Sequence, residues 1–465
     1  MKFIDRKKEM ARLDKVAQLP NGGVAVVWGR RRVGKTRLLL EWSHKYKGVY
    51  YTADESASSV QRKYFAMALE QALPGFGAVD YPDWTQLFMR LARDSIHEGW
   101  HGPLIIDELP YLIAAAPEFP SILQRFLDID AKRAKLIIAL CGSSQRMMQG
   151  AVLDASAPLY GRADEIIKLG PISVGYIGGA LDLKKGKDEI ESYAVWGGIP
   201  KYWELVKNQG GSLVECIDSL VLDPMGALND EPNRLLQEEI PTAVNLRPIL
   251  DAIGLGAHRL SEIAARTGQP ATSLARPIQR LLELDLVTRE TPFGSLEHHS
   301  KRTLYKIKDP FVKFWFDIVA SRRSHFAQVT SANRQKWLKE NLQYFFSNAW
   351  EEMCRQALPH LSQEWGGPPF GQARRYWHQG QGAEWDILAQ DENTLFIGEA
   401  KWIAKMPTEA WIHKTFNELK TKGLPPIERP TEIHYALFIP EKPHQLTLPP
   451  NHRVINAQEV ILSLQ

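Results

Sequence analysis

Short apolar runs that stop abruptly at glycine or charge set the pattern of the first third of the chain. Val24 to Trp28 is apolar and largely β-branched and ends at Gly29, which predicts a strand buried on both faces. Pro103 to Ile106 is a second such run, closing on Asp107 and Glu108. Lys135 to Cys141 is a third, closing on Gly142, Ser143 and Ser144, and Glu165 to Leu169 reads as a fourth. The segment RLLLEWSHKY after the first run has helical spacing. Strands alternating with helices predict an α/β fold built on a doubly wound parallel sheet, whose ligands bind where the strands end.

The pattern changes near residue 240. Leu260 to Gly268 reads as a short helix, Ala271 to Leu282 as a second, and Leu286 to Arg289 with Arg302 to Ile307 as a hairpin around Thr291-Pro292-Phe293-Gly294. Helix, turn, helix, hairpin is the winged-helix order. Its second helix would present Ser273, Arg276 and Arg280 to a DNA major groove; a lid touching only protein fits equally well. Pro277 removes an N–H from that helix and counts against the groove reading. The aromatic run Asp309 to Phe316 reads as core. Beyond it, Tyr344 to Leu358 has helical amphipathicity. Trp385 to Ala389 alternates as a strand, Asp391-Glu392-Asn393 turns, and Leu395 to Lys401 returns. These shifts divide the chain at 1–225, 226–325 and 326–465.

Composition narrows the picture only a little. The chain has 465 residues, 57 Lys and Arg against 54 Asp and Glu, and a net charge of +3. So small an excess says nothing about nucleic acid unless basic residues are concentrated locally. Cys141, Cys216 and Cys354 lack disulfide or metal spacing, which predicts a reducing, cytoplasmic setting. No run is long enough to span a bilayer, so no membrane partner is expected.

Chemistry enters at the ends of the strands. Gly29-Arg30-Arg31-Arg32-Val33-Gly34-Lys35-Thr36, followed by Arg37, has the G-x-x-x-x-G-K-[ST] spacing between a strand and a helix. Such a loop points backbone N–H groups at phosphates; Lys35 would reach the β and γ phosphates of ATP and Thr36 would hold Mg²⁺. Asp107 would hold the hydration shell of that ion and Glu108 would act as general base. Ser143 or Ser144 would face the γ-phosphate, or merely form a turn. Arg162, after Leu159-Tyr160-Gly161, reads as a phosphate finger or as an exposed structural arginine.

At the other end of the chain, Glu399 and Lys401 share a strand face, and one hairpin register brings Asp386 to them. Two carboxylates suit a hard cation such as Mg²⁺ or Mn²⁺, which would activate water against a phosphodiester. Lys401 would orient or deprotonate that water. A surface Glu–Lys pair is the plain alternative.

Phe3-Ile4-Asp5-Arg6-Lys7-Lys8-Glu9, the GRRRVGKT loop, LIIDE, the Gly-Ser-Ser segment, PLYGR and Gly197-Gly198-Ile199-Pro200-Lys201-Tyr202 together resemble the archaeal and bacterial ATPases of the STAND clade, which are AAA+-like. The resemblance implies a central parallel sheet, an opening motif near the nucleotide base, and Arg162 near the phosphates in cis or from a neighbouring copy. The C-terminal residues resemble the PD-(D/E)xK phosphodiesterase fold. That resemblance implies Asp386 as first acid, Glu399-Ala400-Lys401 as E-x-K, and Glu351 or Glu352 as the helix acid, with Trp385 replacing the usual proline. The expected function is an ATP-hydrolysing switch controlling a metal-dependent DNA nuclease-like domain in defence or mobile-element biology, with a homo-oligomer possible. The alternatives are an ATPase regulator or scaffold that binds DNA or protein without cutting, and an ATP-driven repair or translocation factor.

Overall fold

β-branched runs can be buried on both faces only when helices cover both sides, and the first part of the chain folds accordingly. The computed structural model describes residues 3–143, 148–239, 246–295, 302–365, 367–378, 382–426 and 430–465. It divides into two compact units. The first runs to Pro171 and takes in Ile199–Lys201; the second takes Ile172–Gly198 and Tyr202–Gln465.

In the first unit, β1 (Gly23–Trp28), β2 (Val49–Thr52), β3 (Leu104–Asp107), β4 (Ile137–Gly142) and β5 (Glu165–Lys168) form one sheet in the order β2-β3-β4-β1-β5. All four pairings between its strands are parallel. Four of these strands follow the expected runs; β2 was not foreseen. Because β4 lies between β1 and β3, the ends of all three strands meet at one edge. The helices Ser58–Leu69, Trp84–Glu98 and Phe119–Asp128 pack Phe65, Trp84, Phe88 and Phe119 against one face.

The second unit contains the helices Arg247–Gly254, Leu260–Thr267 and Ala275–Glu283, then the antiparallel pair β6 (Val287–Glu290) and β7 (Leu304–Ile307). The expected second helix is split: Ala271–Leu274 is a 3₁₀ turn, and the α-helix begins at Ala275. Pro277 therefore falls in the first helical turn, where N–H groups lack intrahelical partners anyway, so it does not break the helix. Ser273 and Arg276 are exposed, while Arg280 is half-buried and bridges to Glu283 at 3.0 Å.

The amphipathic segment expected at 344–358 is the middle of a far longer helix, Ser331–Glu364, capped by the Thr330 hydroxyl. A mixed sheet follows: β8 (Arg374–Tyr376), β9 (Trp385–Gln390), β10 (Thr394–Ala400), β11 (Glu432–Phe438) and β12 (His452–Ile455), in the order β12-β11-β10-β9-β8. β10 pairs antiparallel with β9 and parallel with β11. Phe311, Phe314, Trp315 and Phe316 are buried, as expected of core. The expected boundary at 225 is not where the contacts divide, since the helices after Ile172 pack with the second unit. The three cysteines are free and buried, and no helix among the described residues is long and apolar enough to cross a membrane.

Asp218 and Arg334, both nearly sealed from solvent, form a buried ion pair that also engages Ser331. Removing one partner strands the other charge in a medium of low polarity. Asp218→Ala is expected to cost about 3–5 kcal/mol, read as a fall in the urea midpoint of the second unit's transition.

Candidate functional site

The helix Lys35–Tyr46 begins directly after the glycine loop, and Gly34 caps it at φ 97°. A side chain there would be strained, so glycine is what lets the loop curl back over the helix N-terminus. Lys35 is 5% exposed and donates to the carbonyls of Gly29 at 2.8 Å and Arg30 at 3.1 Å. The loop is thus closed around its own ammonium. Arg6 reinforces it from behind: the guanidinium donates to the carbonyls of Val33 at 2.9 Å and Gly170 at 2.7 Å. The opening motif accordingly grips the loop backbone, a role its sequence did not disclose.

Asp107 ends β3 and is 2% exposed. The Thr36 hydroxyl donates to its Oδ2 at 3.0 Å, and the Tyr50 hydroxyl donates to the same oxygen. Burial, with the Asp107 charge behind it, drives the Tyr50 hydroxyl far above its ordinary pKa and keeps it a donor. Tyr50 lies on β2, and finding it required recognising Val49 to Thr52 as a strand.

Glu108 occupies the left-handed region at φ 52°, a conformation that is costly outside glycine and concentrates at functional sites. Its carboxylate accepts from the Ser143 N–H at 3.2 Å and from the Ser143 hydroxyl at 2.5 Å. Base and serine, expected to face the phosphate separately, hold one another. Ser144 lies outside the described residues. Burial beside Asp107 raises the Cys141 thiol well above its ordinary value, so it is inert.

Arg30 is buried, Arg31 and Arg32 are half-buried, and Arg31 reaches the Tyr111 hydroxyl at 3.4 Å. Arg37 points along the exposed helix face to Glu41 at 2.6 Å and is no part of the cradle. Arg162 is not brought to the phosphate end within its own chain. Asp164, two residues on, bonds both ways with Val24 at the start of β1, whereas Gly29 follows the end of that strand. About 16 Å of strand separates the two edges, and Arg162 is instead clamped by Asp128 at 2.9 and 3.0 Å.

In the second unit the β9–β10 register pairs Ile387 with Gly398, so the next step sets Asp386 opposite Glu399. Asp386 Oδ2 accepts the Ala400 N–H at 3.1 Å. Glu399 is 5% exposed; its Oε1 takes Lys401 at 2.6 Å and its Oε2 takes Lys422 at 2.7 Å. Lys422 carried no sequence signal, being a lysine at a helix end remote from the hairpin. Arg355 donates to the Asp386 carbonyl at 3.1 Å and stands 3.7 Å from Glu351.

Burial first, then the Glu399 charge, raises the Asp386 carboxyl above its usual range. Burial first, then the Asp386 charge, does the same to Glu351 on the long helix. Burial pulls the Lys401 ammonium down, but its bond to Glu399 and the nearby acids more than offset this and leave it raised. Lys401 therefore stands as a cation against Glu399, a state that does not favour its deprotonating water.

The two sites differ as cation holders. Thr36 and Asp107 present adjacent oxygens of the hard type that suits Mg²⁺. Among the described residues, no three His, Cys, Asp or Glu side chains stand ready as a metal cluster, so Asp386, Glu399 and Glu351 are not preassembled. Their oxygens and mutual repulsion still suit a divalent cation, provided an ammonium on Glu399 gives way.

Residues 3–206 match the model of an ATPase domain found predominantly in Archaea, and residues 315–413 match a model described as archaeal and bacterial proteins of unknown function. Residues 3–206 are therefore similar to an ATPase domain, and the Gly29–Thr36 loop lies within the matched stretch. An uncharacterized protein of Methanocaldococcus jannaschii, MJECL04, is 29% identical over 406 residues, covering 86% of this chain and 87% of its own. The Walker-type ATPase PABY2304 of Pyrococcus abyssi shares the fold at a TM-score of 0.52 and 19% identity, over 68% of this chain and 96% of that one.

A carboxyl whose folded pKa is raised binds its proton more tightly in the folded state, so stability is lost as pH rises through that value. Asp386→Asn removes one of the clustered charges and keeps an acceptor for Ala400. It is expected to melt a few degrees above the parent at pH 8 in chelator, the gap closing as pH falls towards the range in which these acids protonate.

Proposed function

We propose that the chain is an ATP-hydrolysing switch. The carrying observation is the meeting of Lys35, Thr36, Asp107, Glu108 and Ser143 at one sheet edge, where β1, β3 and β4 end together. A nucleotide would draw Lys35 from the Gly29 and Arg30 carbonyls onto its phosphates, with the loop N–H groups cradling them. Thr36 and Asp107 would hold Mg²⁺, which offsets the phosphate charge when bound. Glu108, released from Ser143, would accept the proton of the attacking water, and Ser143 would then donate to the terminal phosphate. Arg162 would have to leave Asp128 to serve the site of a neighbouring copy, which would make the switch a homo-oligomer.

We further propose that the second unit is a nuclease-like module of the PD-(D/E)xK type acting on DNA, with the helices before β6 and the β6–β7 hairpin as a winged helix. Support comes from the convergence of half-buried Asp386, buried Glu399 and part-exposed Lys401 beside Glu351, which serves no evident packing purpose. Asp386, Glu399 and Glu351 would hold Mg²⁺ or Mn²⁺, and Lys401 would steady the charge on phosphate. One observation favours the rival reading, a scaffold that binds without cutting: both oxygens of Glu399 are already neutralised by lysines.

Glu108→Gln is expected to lower ATP turnover by about 10²–10⁴-fold with nucleotide binding retained, whereas Lys35→Ala loses binding. Turnover unchanged in either variant would overturn the ATPase assignment. In parallel, plasmid and linear DNA with Mg²⁺ or Mn²⁺, with and without ATP, should be cut by the parent and not by Asp386→Ala. A parent that cuts no DNA form leaves the scaffold reading.

A further inference from the structure

The helix Ser331–Glu364 has two unlike faces. One is buried through Leu338, Leu342, Phe346, Trp350 and Cys354. The other presents Trp337, Asn341, Tyr344, Asn348, Glu351 and Arg355, spaced three or four apart, to a cavity of about 950 Å³. That stripe runs about 27 Å along the helix and includes, one turn before its end, Glu351, whose carboxyl feels the Asp386 charge. A helix lined for five turns with polar and aromatic groups, facing a hollow rather than a core, is not explained by packing.

The opposite wall is formed by the β6–β7 pair, through Arg289 and Lys306, and by β8. Seven Lys or Arg residues line the cavity against four Asp or Glu, an excess equal to the net charge of the whole chain. Part of that charge is used internally, since Glu290 takes both Lys306 and Arg375 at 2.8 Å. Arg289, by contrast, reaches among the described residues only a neutral oxygen, the Thr303 hydroxyl at 3.4 Å. Arg322 lies 4.9 Å above the Trp337 ring. Tyr344 is 80% exposed, an unusual state for so large an aromatic side chain in a wall of the cavity.

Guanidinium groups beside flat aromatic rings, here the exposed Tyr344 and the half-buried Trp337, are the chemistry that holds an unpaired polynucleotide, phosphates on the charges and bases on the rings. A duplex is recognised the other way round, by a helix entering its groove, and hides the base faces that Tyr344 and Trp337 would stack. We propose that this cavity is the track of a single nucleic-acid strand, which runs past Arg289 and Arg322, stacks on Trp337 and Tyr344, and is delivered to Glu351. The proposal rests on the nuclease-like reading only for what happens at the end of the track.

The test is fluorescence anisotropy with the full chain in chelator, so that nothing is cut, using a short oligothymidylate, a short oligouridylate and a duplex of equal length. One of the single strands is expected to bind more tightly than the duplex, with affinity falling steeply as salt rises. Tyr344→Ala is expected to weaken strand binding about tenfold while Tyr344→Phe retains it, and Arg289→Ala to reduce the salt slope by about one. Equal binding by Tyr344→Ala and the parent, or a duplex held as tightly as the better strand, overturns the proposal. Strand binding without metal-dependent cutting keeps the track and removes the nuclease reading. Cutting together with strand binding indifferent to Tyr344→Ala does the reverse.

Discussion

A strand buried on both faces can offer polar groups only where it ends, and both candidate sites obey that constraint. β1, β3 and β4 are sealed along their lengths, so the glycine loop, the Asp107–Glu108 pair and Ser143 emerge together at one edge. β10 is buried at all seven positions, and its charges fall at its last residues and just beyond. Placing β4 between β1 and β3 then decides which ends are neighbours: Ser143 can reach Glu108 because Leu140 and Ile106 are paired one turn of pleat earlier. Parallel topology, more than any single contact, assembles the chemistry.

Both sites hold their acids in a self-satisfied state. Glu108 is engaged by Ser143, Asp107 by Thr36 and Tyr50, and Glu399 by two lysines. Buried carboxylates cannot wait unpaired, because an uncompensated charge in a medium of low polarity would protonate or unfold its surroundings. A ligand must therefore offer more than an empty site would demand: its phosphates or cation must replace bonds that already exist. The unliganded arrangement is therefore a distinct state with its own hydrogen bonds.

The sheet of the first unit was largely legible because its strands are continuous apolar runs and its loop has a spacing few other structures use. The approach of Asp386 to Glu399 and Lys401 was legible too, since period-two alternation in a hairpin leaves few registers. What escaped reading was whatever depends on distant sequence. Tyr50 sits on a four-residue strand too short to assert itself, and Lys422 meets Glu399 across 23 positions. Arg162 was drawn to the phosphates by motif order, but order along the chain does not say which edge of a sheet a turn occupies. The length of the helix Ser331–Glu364 was hidden by its two faces, because a stripe of Asn, Tyr, Glu and Arg breaks the amphipathic pattern that defines helices in sequence.

That broken pattern also explains why net charge was a poor guide. Across the chain 57 basic residues nearly cancel 54 acidic ones, and the surplus is too small to argue from. Folding redistributes it: the cavity beside the long helix carries a surplus of three by itself, which leaves the remaining charges balanced. Electrostatic attraction for a polyanion falls off within about 10 Å at ordinary ionic strength. What a phosphate chain would feel is therefore the local count around Arg289 and Arg322, not the total. Glu351 and Asp317 line the same cavity with carboxyls that burial raises above their usual range, so the effective positive charge there increases as the pH falls.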